Sequence, residues 1–290
     1  MVLKTQTVGL HFFNPRTPGT RHRIGVNYRY WKINGHSLNK SLRFHQIRRL
    51  GLDFRGHKVT RKRCSGTKQN FTWINFSWSP LYPYLCVVKE VSYDPYRTSF
   101  VALLVILNKN FKYGNFTYVL ATNKSKAGEI VELTYKQTIV NVGDVTKLEY
   151  FPVGSEICCL ELVPFGGAVF ARAAGTLAIL VSRSTEFTVV RLPSKETRII
   201  SNSCRAMRGR ISNFNHKFCR LGKAGLNILK HKKPTVRGTA MNAVDHPHGG
   251  GTGKAGIGRT APLTPWGKLA MGVKTTRFKK KLYLQTTFET

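Results

Sequence analysis

Two histidines flanking a proline, His246 and His248, stand in a stretch of this 290-residue chain that also holds Arg237, Asn242, Asp245 and Lys254. DHPH followed by GGGTGK invites three chemistries. A phosphate-binding Gly-Lys loop needs a glycine five residues before Gly253 and a hydroxyl after the lysine. Those positions are His248 and Ala255, so both the phosphate cradle and the Mg²⁺ ligand are missing. A metal centre on Asp245, His246 and His248 asks three ligands crowded around one proline to converge on a tetrahedral ion, which the short spacing opposes. General acid–base work by a ring that titrates near neutrality leaves His246 as the sole catalytic candidate. The plainer reading, favoured here, is that both imidazoles donate hydrogen bonds to phosphate or stack on bases, while the glycines let backbone N–H groups approach a nucleic acid. No metal-binding residue is expected.

What must position these groups is irregular backbone. Pro247 and the glycines at 249, 250, 251 and 253 punctuate residues 235–254 too densely for a helix or a long strand. Such a polar loop is expected to order poorly until a partner packs against it. Charge names the class of partner. The chain has 47 Lys+Arg against 13 Asp+Glu, a net charge of +34 and a pI near 10.5, a self-repulsion that suits a polyanion. The charge is also segregated: residues 1–70 carry one acid, Asp53, and residues 201–290 carry two, Asp245 and Glu289, while residues 71–200 are nearly neutral. A folded middle between two basic arms follows.

The longest apolar run, FVALLVIL at 100–107, is far too short to span a bilayer and reads as a buried strand. Six cysteines without a C-x-x-C pair read as reduced structural thiols. The start of the chain lacks the apolar block of a secretory signal, and an organelle transit peptide is the second reading of its acid-free beginning.

From Cys86 onward the pattern is β. CVVKEVSY, an Asp94-Pro95 turn and the 99–107 run predict a hairpin, and 116–121 supplies a further strand. A second set follows at 129–133, 157–163, 176–181, 187–192 and 197–200, with Pro193-Ser194-Lys195 as a turn with a basic tip. Phe187 and Val189 share a face with Arg191, which places Arg191 where that face meets solvent or RNA. Closure into small barrels removes exposed edges, so two β-barrels in tandem are expected. Beyond Ser201 no strand is expected, only a short helix within 213–221, and the tail from 255 is expected to order only on its ligand.

RGTAMNAVDHPHGGGTGK at 237–254 resembles the signature of the universal large-subunit ribosomal protein two family, of bacterial or organellar type. TPGTRHR (17–23), YDPYR (93–97), ARAAGT (171–176), RLPSKETR (191–198), LGKAG (221–225), KPTVRG (233–238) and TPWG (264–267) are similar to family segments in family order, so the resemblance runs from about residue 17 to 281. It implies a mainly β chain: a basic N-terminal arm (1–40), an OB-like barrel (41–124), an SH3-like barrel (125–203) and an irregular C-terminal RNA-binding extension (204–290). It further implies a non-enzymatic constituent of the large subunit that binds rRNA near the peptidyl transferase centre and supports assembly, subunit association and tRNA placement. Three departures stand out. LRFHQIRRLGLDFRGHK (42–58) replaces the family's Gly-rich basic segment ending like GGGHKR, Ala243 stands where proline is usual, and Thr252 stands where glutamate is frequent.

The expected RNA contacts are Arg21, Arg23, Arg97, Arg172, Arg191, Lys195, Arg198, Lys223, Lys232, Lys233, Arg237, Asn242, His246, His248, Lys254 and Trp266, the last with a local core role as its alternative. Expected partners are large-subunit rRNA, neighbouring ribosomal proteins and the small subunit at an intersubunit contact, with no membrane and no small-molecule substrate. No cofactor is expected beyond structural Mg²⁺ arriving with the RNA. The altered pre-barrel segment and abundant Phe, Tyr and Asn favour a mitochondrial ribosome, with chloroplast or bacterial cytoplasm as alternatives. A free architectural RNA-binding protein and a nucleotide-using enzyme are the rival functions.

Overall fold

The computed structural model describes residues 9–33, 41–45, 50–77, 84–107, 116–133, 140–253 and 255–272. They form two compact units. One contains the described residues of Met1–Ile47 and Lys68–Lys223, the other those of Arg48–Thr67 and Ala224–Lys281.

The first unit is built on a ten-stranded sheet. Strands β5 (Tyr84–Ser92), β6 (Val101–Ile106) and β7 (Phe116–Leu120) form an antiparallel meander, and β8 (Ile130–Leu133) pairs with the free edge of β5. The predicted hairpin is therefore present. A bulge between Val88 and Glu90 bends β5 so that the layer can curl around its own core. That core packs Val88, Leu103, Leu104, Tyr118 and Leu120, with Ile211 arriving from much later in the chain.

A single parallel pairing, Leu133↔Val145, joins β8 to β9 (Val145–Lys147) and carries the sheet into the second set of strands. There β10 (Glu156–Cys158), β13 (Ala178–Arg183), β14 (Phe187–Arg191) and β15 (Thr197–Ser201) lie side by side. Leu148, Phe151, Ile157, Leu180, Val190 and Ile200 make a separate core. Cys159, at φ +48°, breaks the strand predicted over 157–163 into β10 and β11 (Leu160–Glu161), which pairs with β12 (Ala168–Phe170).

One expectation fails. Beyond Ser201 the chain makes another strand, β16 (Arg205–Arg208), and it is central, lying between β9 and β10. RAMR looks polar, yet Arg205 is buried because it pairs with the equally buried Glu161. Arg205 Nη2 donates to Glu161 Oε1 at 3.2 Å and the Arg205 amide donates to Oε2 at 3.0 Å. An arginine whose partner sits 44 residues earlier carries no local strand signal. The expected short helix nearby is a 3₁₀ turn, Phe214–Phe218.

The basic N-terminal segment is pinned to this unit. Strands β1 (Leu10–Phe12) and β2 (Ile24–Val26) form a hairpin around the one-turn helix α1 (Pro18–Arg21), and Trp31 packs against Phe100 and Phe214. A short ribbon of β3 (Arg43–His45) and β4 (Asn70–Thr72) completes the unit. In the second unit, helix α2 (Ala224–Leu229) precedes a ladder between residues 62–67 and 229–233, closed by the Arg63↔Lys232 bridge and by the Cys64 amide donating to His231 O. No helix among the described residues is long and apolar enough to cross a membrane.

Candidate nucleic-acid interface

The histidine loop holds itself together. The amides of Asp245 and His246 donate to Asn242 O, Gly249 to His246 O and Gly250 to Met241 O, which closes residues 241–250 into a compact turn. Glycine is required at 249 by close approach, because a Cβ there would lie 2.1 Å from Asn242 O. Backbone hydrogen bonds thus give this polar loop a defined conformation that side-chain packing does not supply.

Its imidazoles are locked into defined tautomers. His246 Nδ1 accepts from the His248 amide at 3.0 Å, and His248 Nε2 accepts from the Leu263 amide at 2.8 Å. A nitrogen that accepts carries no proton, so His246 presents Nε2–H and His248 presents Nδ1–H as donors. The rings sit 4.7 Å apart. Both lone pairs are occupied by backbone amides, which removes the groups that a metal ion or a general base would use. Burial, the neighbouring His248 and the Arg61 guanidinium pull the His246 pKa below its ordinary value, favouring the neutral ring. What remains on each ring is one N–H donor, on a largely buried His246 and a half-buried His248.

Around this turn the second unit arrays cations. Arg237 precedes a 3₁₀ turn, Gly238–Ala240, and is exposed, as are Lys232, Lys233 and Asn242. Residues 262–270 form a hairpin: Leu263 bridges Leu269, and the Ala270 amide donates to Pro262 O at 2.9 Å. Trp266 stands at its tip, 56% exposed, with the Arg61 guanidinium 5.9 Å from its ring. That exposure removes its core alternative. Lys254 and the basic run 279–281 lie outside the described residues.

In the first unit, segments far apart in sequence are joined. Ile24 and Arg220 exchange both backbone hydrogen bonds at 2.9 Å, and the Lys223 side chain lies against Gly19. Arg21, Arg23 and Lys223 thereby come together with Arg220, a residue sequence reasoning missed because no local pattern marks it. Arg23 is steadied by Phe13, whose ring centroid lies 4.1 Å from its guanidinium.

Arg97 and Arg172 form a second group. Asp94, fully buried, accepts from the Tyr96 amide and from Arg97 Nε, each at 2.9 Å, and Arg97 Nη2 donates to Thr72 O at 3.0 Å. Burial pulls the Arg97 pKa down, Asp94 opposes this and Arg172 adds to it. The two arginines line a cavity of about 330 Å³ with Phe76, Tyr96, Thr98 and Leu120.

The β14–β15 hairpin supplies a third group, but only in part. Thr188 and Val190 are buried while Phe187 and Arg191 are exposed, as the alternation requires. Lys195 occupies the tip in a left-handed conformation, φ +70°. Arg198 instead turns inward: its Nε and Nη2 donate to Glu196 at 3.1 Å each, and it lies 5.0 Å from the Phe170 ring. Its visible work is structural, because it neutralises the acid beside the exposed tip.

All six cysteines are free, and burial pushes the Cys86 and Cys204 thiols up to about 12, which suppresses thiolate chemistry.

Two family models match the chain: "Ribosomal Proteins L2, RNA binding N-terminal domain" over residues 39–133 and "Ribosomal Proteins L2, C-terminal domain" over residues 141–267. A curated relative, "Large ribosomal subunit protein uL2c" of Cyanidium caldarium, is 36% identical over 267 residues, covering 92% of this chain and 94% of the relative. The OB-like and SH3-like barrels of those two domains fit the two cores of the β unit, and the chain belongs to the ribosomal protein L2 family, structural RNA-binding components of the large ribosomal subunit.

Proposed function

We propose that this chain binds large-subunit rRNA near the peptidyl transferase centre of an organellar ribosome, supporting subunit assembly, association with the small subunit and tRNA placement. The carrying observation is the 241–250 turn, closed by its own backbone hydrogen bonds, in which each imidazole keeps one N–H donor while Arg237, Lys232 and Lys233 of the same unit are exposed. Nothing in it is arranged to move a proton. Of the RNA contacts expected from the sequence, Arg21, Arg23, Lys223, Arg172, Arg191 and Lys195 serve phosphates, while Arg97 and Arg198, paired with acids, hold those surfaces in shape.

Sedimentation at high salt tests this reading. The protein is expected to stay with large subunits while counterions strip loosely bound basic proteins. Release into the free pool under those conditions favours a non-ribosomal architectural role. The uL2c relative points to an organellar ribosome, and a mitochondrial one is proposed from the altered 42–58 segment and the Phe, Tyr and Asn content. Sequencing the RNA that copurifies with the chain decides between mitochondrion and chloroplast.

A further inference from the structure

The β3–β4 ribbon exposes aromatic rings on the side away from the core. Phe44 pairs with Phe71 and Arg43 with Thr72, which sends the two pairs to opposite faces. Thr72 and Ile74 are buried, so the alternate set of Phe44, Phe71 and Trp73 faces outward. Phe44 is 46% exposed and Trp73 61%. The rings nonetheless hold one another in place: Phe44 lies 5.2 Å from Phe71 and 6.5 Å from Trp73, and Phe71 and Tyr96 make a T-shaped pair at 5.3 Å.

This strip runs directly into cations. The Arg97 guanidinium lies 5.5 Å from the Phe71 ring and 5.7 Å from that of Phe76, and Arg172 lies 4.8 Å over the other neighbour of the cavity, Phe76. Rings interleaved with guanidiniums match a strand that offers bases and phosphates in turn. Arg97 is already paired with Asp94, but an apolar protein surface would cover the rings and leave the exposed Arg172 without complementary charge. Phe44 also falls within the 42–58 segment where the chain departs from the family's Gly-rich pattern.

We propose that the outward face of the β3–β4 ribbon, Phe44, Phe71 and Trp73, is a stacking platform for unpaired bases of single-stranded RNA. The proposal rests on the RNA-binding reading above and adds to it a surface that the motif resemblances do not include.

The test titrates the full chain and its Phe44→Leu, Trp73→Leu and doubly substituted forms with a short oligouridylate and with an RNA duplex over a range of salt. Leucine keeps apolar bulk and removes the ring. Each substitution is expected to weaken single-strand binding roughly tenfold. The slope of log K against log salt stays unchanged, since no phosphate contact is lost, and duplex binding is unaffected. Trp73→Tyr retains most of the single-strand affinity. Equal oligouridylate binding by the parent and the doubly substituted chain overturns the platform and leaves the RNA-binding reading intact, whereas a parent chain that binds neither RNA overturns both. A Trp73→Tyr chain as weak as Trp73→Leu also overturns it, because a ring is then not what binds. So does a doubly substituted chain that binds RNA normally but leaves large subunits more readily, since its rings then face a protein.

Discussion

At the scale of single residues, His246 is decided by one hydrogen bond. Its Nδ1 accepts the His248 amide, and protonation there would replace that acceptor with a second donor. Its depressed pKa means that, between the folded value and about 6.5, the unfolded loop binds more protons than the folded one. The contribution of this ring to loop stability is therefore complete above that upper value and is lost as pH falls towards the lower one. Hydrogen-exchange protection of the His248 amide, corrected for intrinsic rates, should fall in that window, and an imidazole titration of His246 by NMR should show a midpoint below that of an unstructured peptide. Gly249→Ala makes a different case, because the clash is with backbone that cannot rotate away. It should destabilise the turn by about 1–3 kcal/mol, an overpacking cost, seen as loss of protection at the Gly249 and Gly250 amides while the β unit keeps its own.

At the scale of elements, β16 shows why a polar sequence can occupy the middle of a sheet. Glu161 and Arg205 face each other with side chains 0% and 5% exposed, and the strand is placed by that ion pair together with Ala206 and Met207 in the two cores. Arg205→Met leaves the Glu161 carboxylate buried without its cation. The expected loss is about 3–5 kcal/mol of unfolding free energy, measured by denaturant titration, and adding Glu161→Leu should recover much of it. Recovery failing to appear would mean that the strand is held by something other than this pair. The 197–201 strand makes the complementary point, because a strand was legible at 197–200, but Arg198 was not legible as an inward-facing residue. Which arginine reaches solvent depends on where Glu196 sits, and that follows from the hairpin.

At the scale of the whole molecule, the net charge of +34 favours a polyanionic partner, and the phosphate contacts made by the chain's cations set the salt dependence of RNA binding. Arg21, Arg23, Arg220 and Lys223 form one cationic surface from two ends of the sequence through the Ile24–Arg220 hydrogen bonds. Replacing Arg21 and Lys223 by alanine should weaken binding to all RNA sequences alike and lower the slope of log K against log salt by roughly 1–2, read by filter binding at several salt concentrations. Stability should change little, since both side chains are exposed.

Local sequence was enough to determine the β class, the meander from Cys86, the charge segregation and the signature loop, because alternation, turn residues and composition are properties of neighbouring residues. It also supplied the two histidines as candidates. Tertiary structure decided which candidates could still do chemistry. Both imidazole lone pairs are filled by amides, one of them from Leu263, a residue fifteen positions beyond His248. It also decided that the 241–250 turn and the 262–270 hairpin close on themselves through backbone hydrogen bonds, that β16 is central, and that Arg97 and Arg198 are braced by acids while Arg172, Arg191 and Lys195 remain exposed. The physical reason is common to all of these. A side chain's free lone pair, its exposure and the acid that neutralises it depend on groups brought beside it by backbone hydrogen bonds and sheet pairing, many of them distant in sequence.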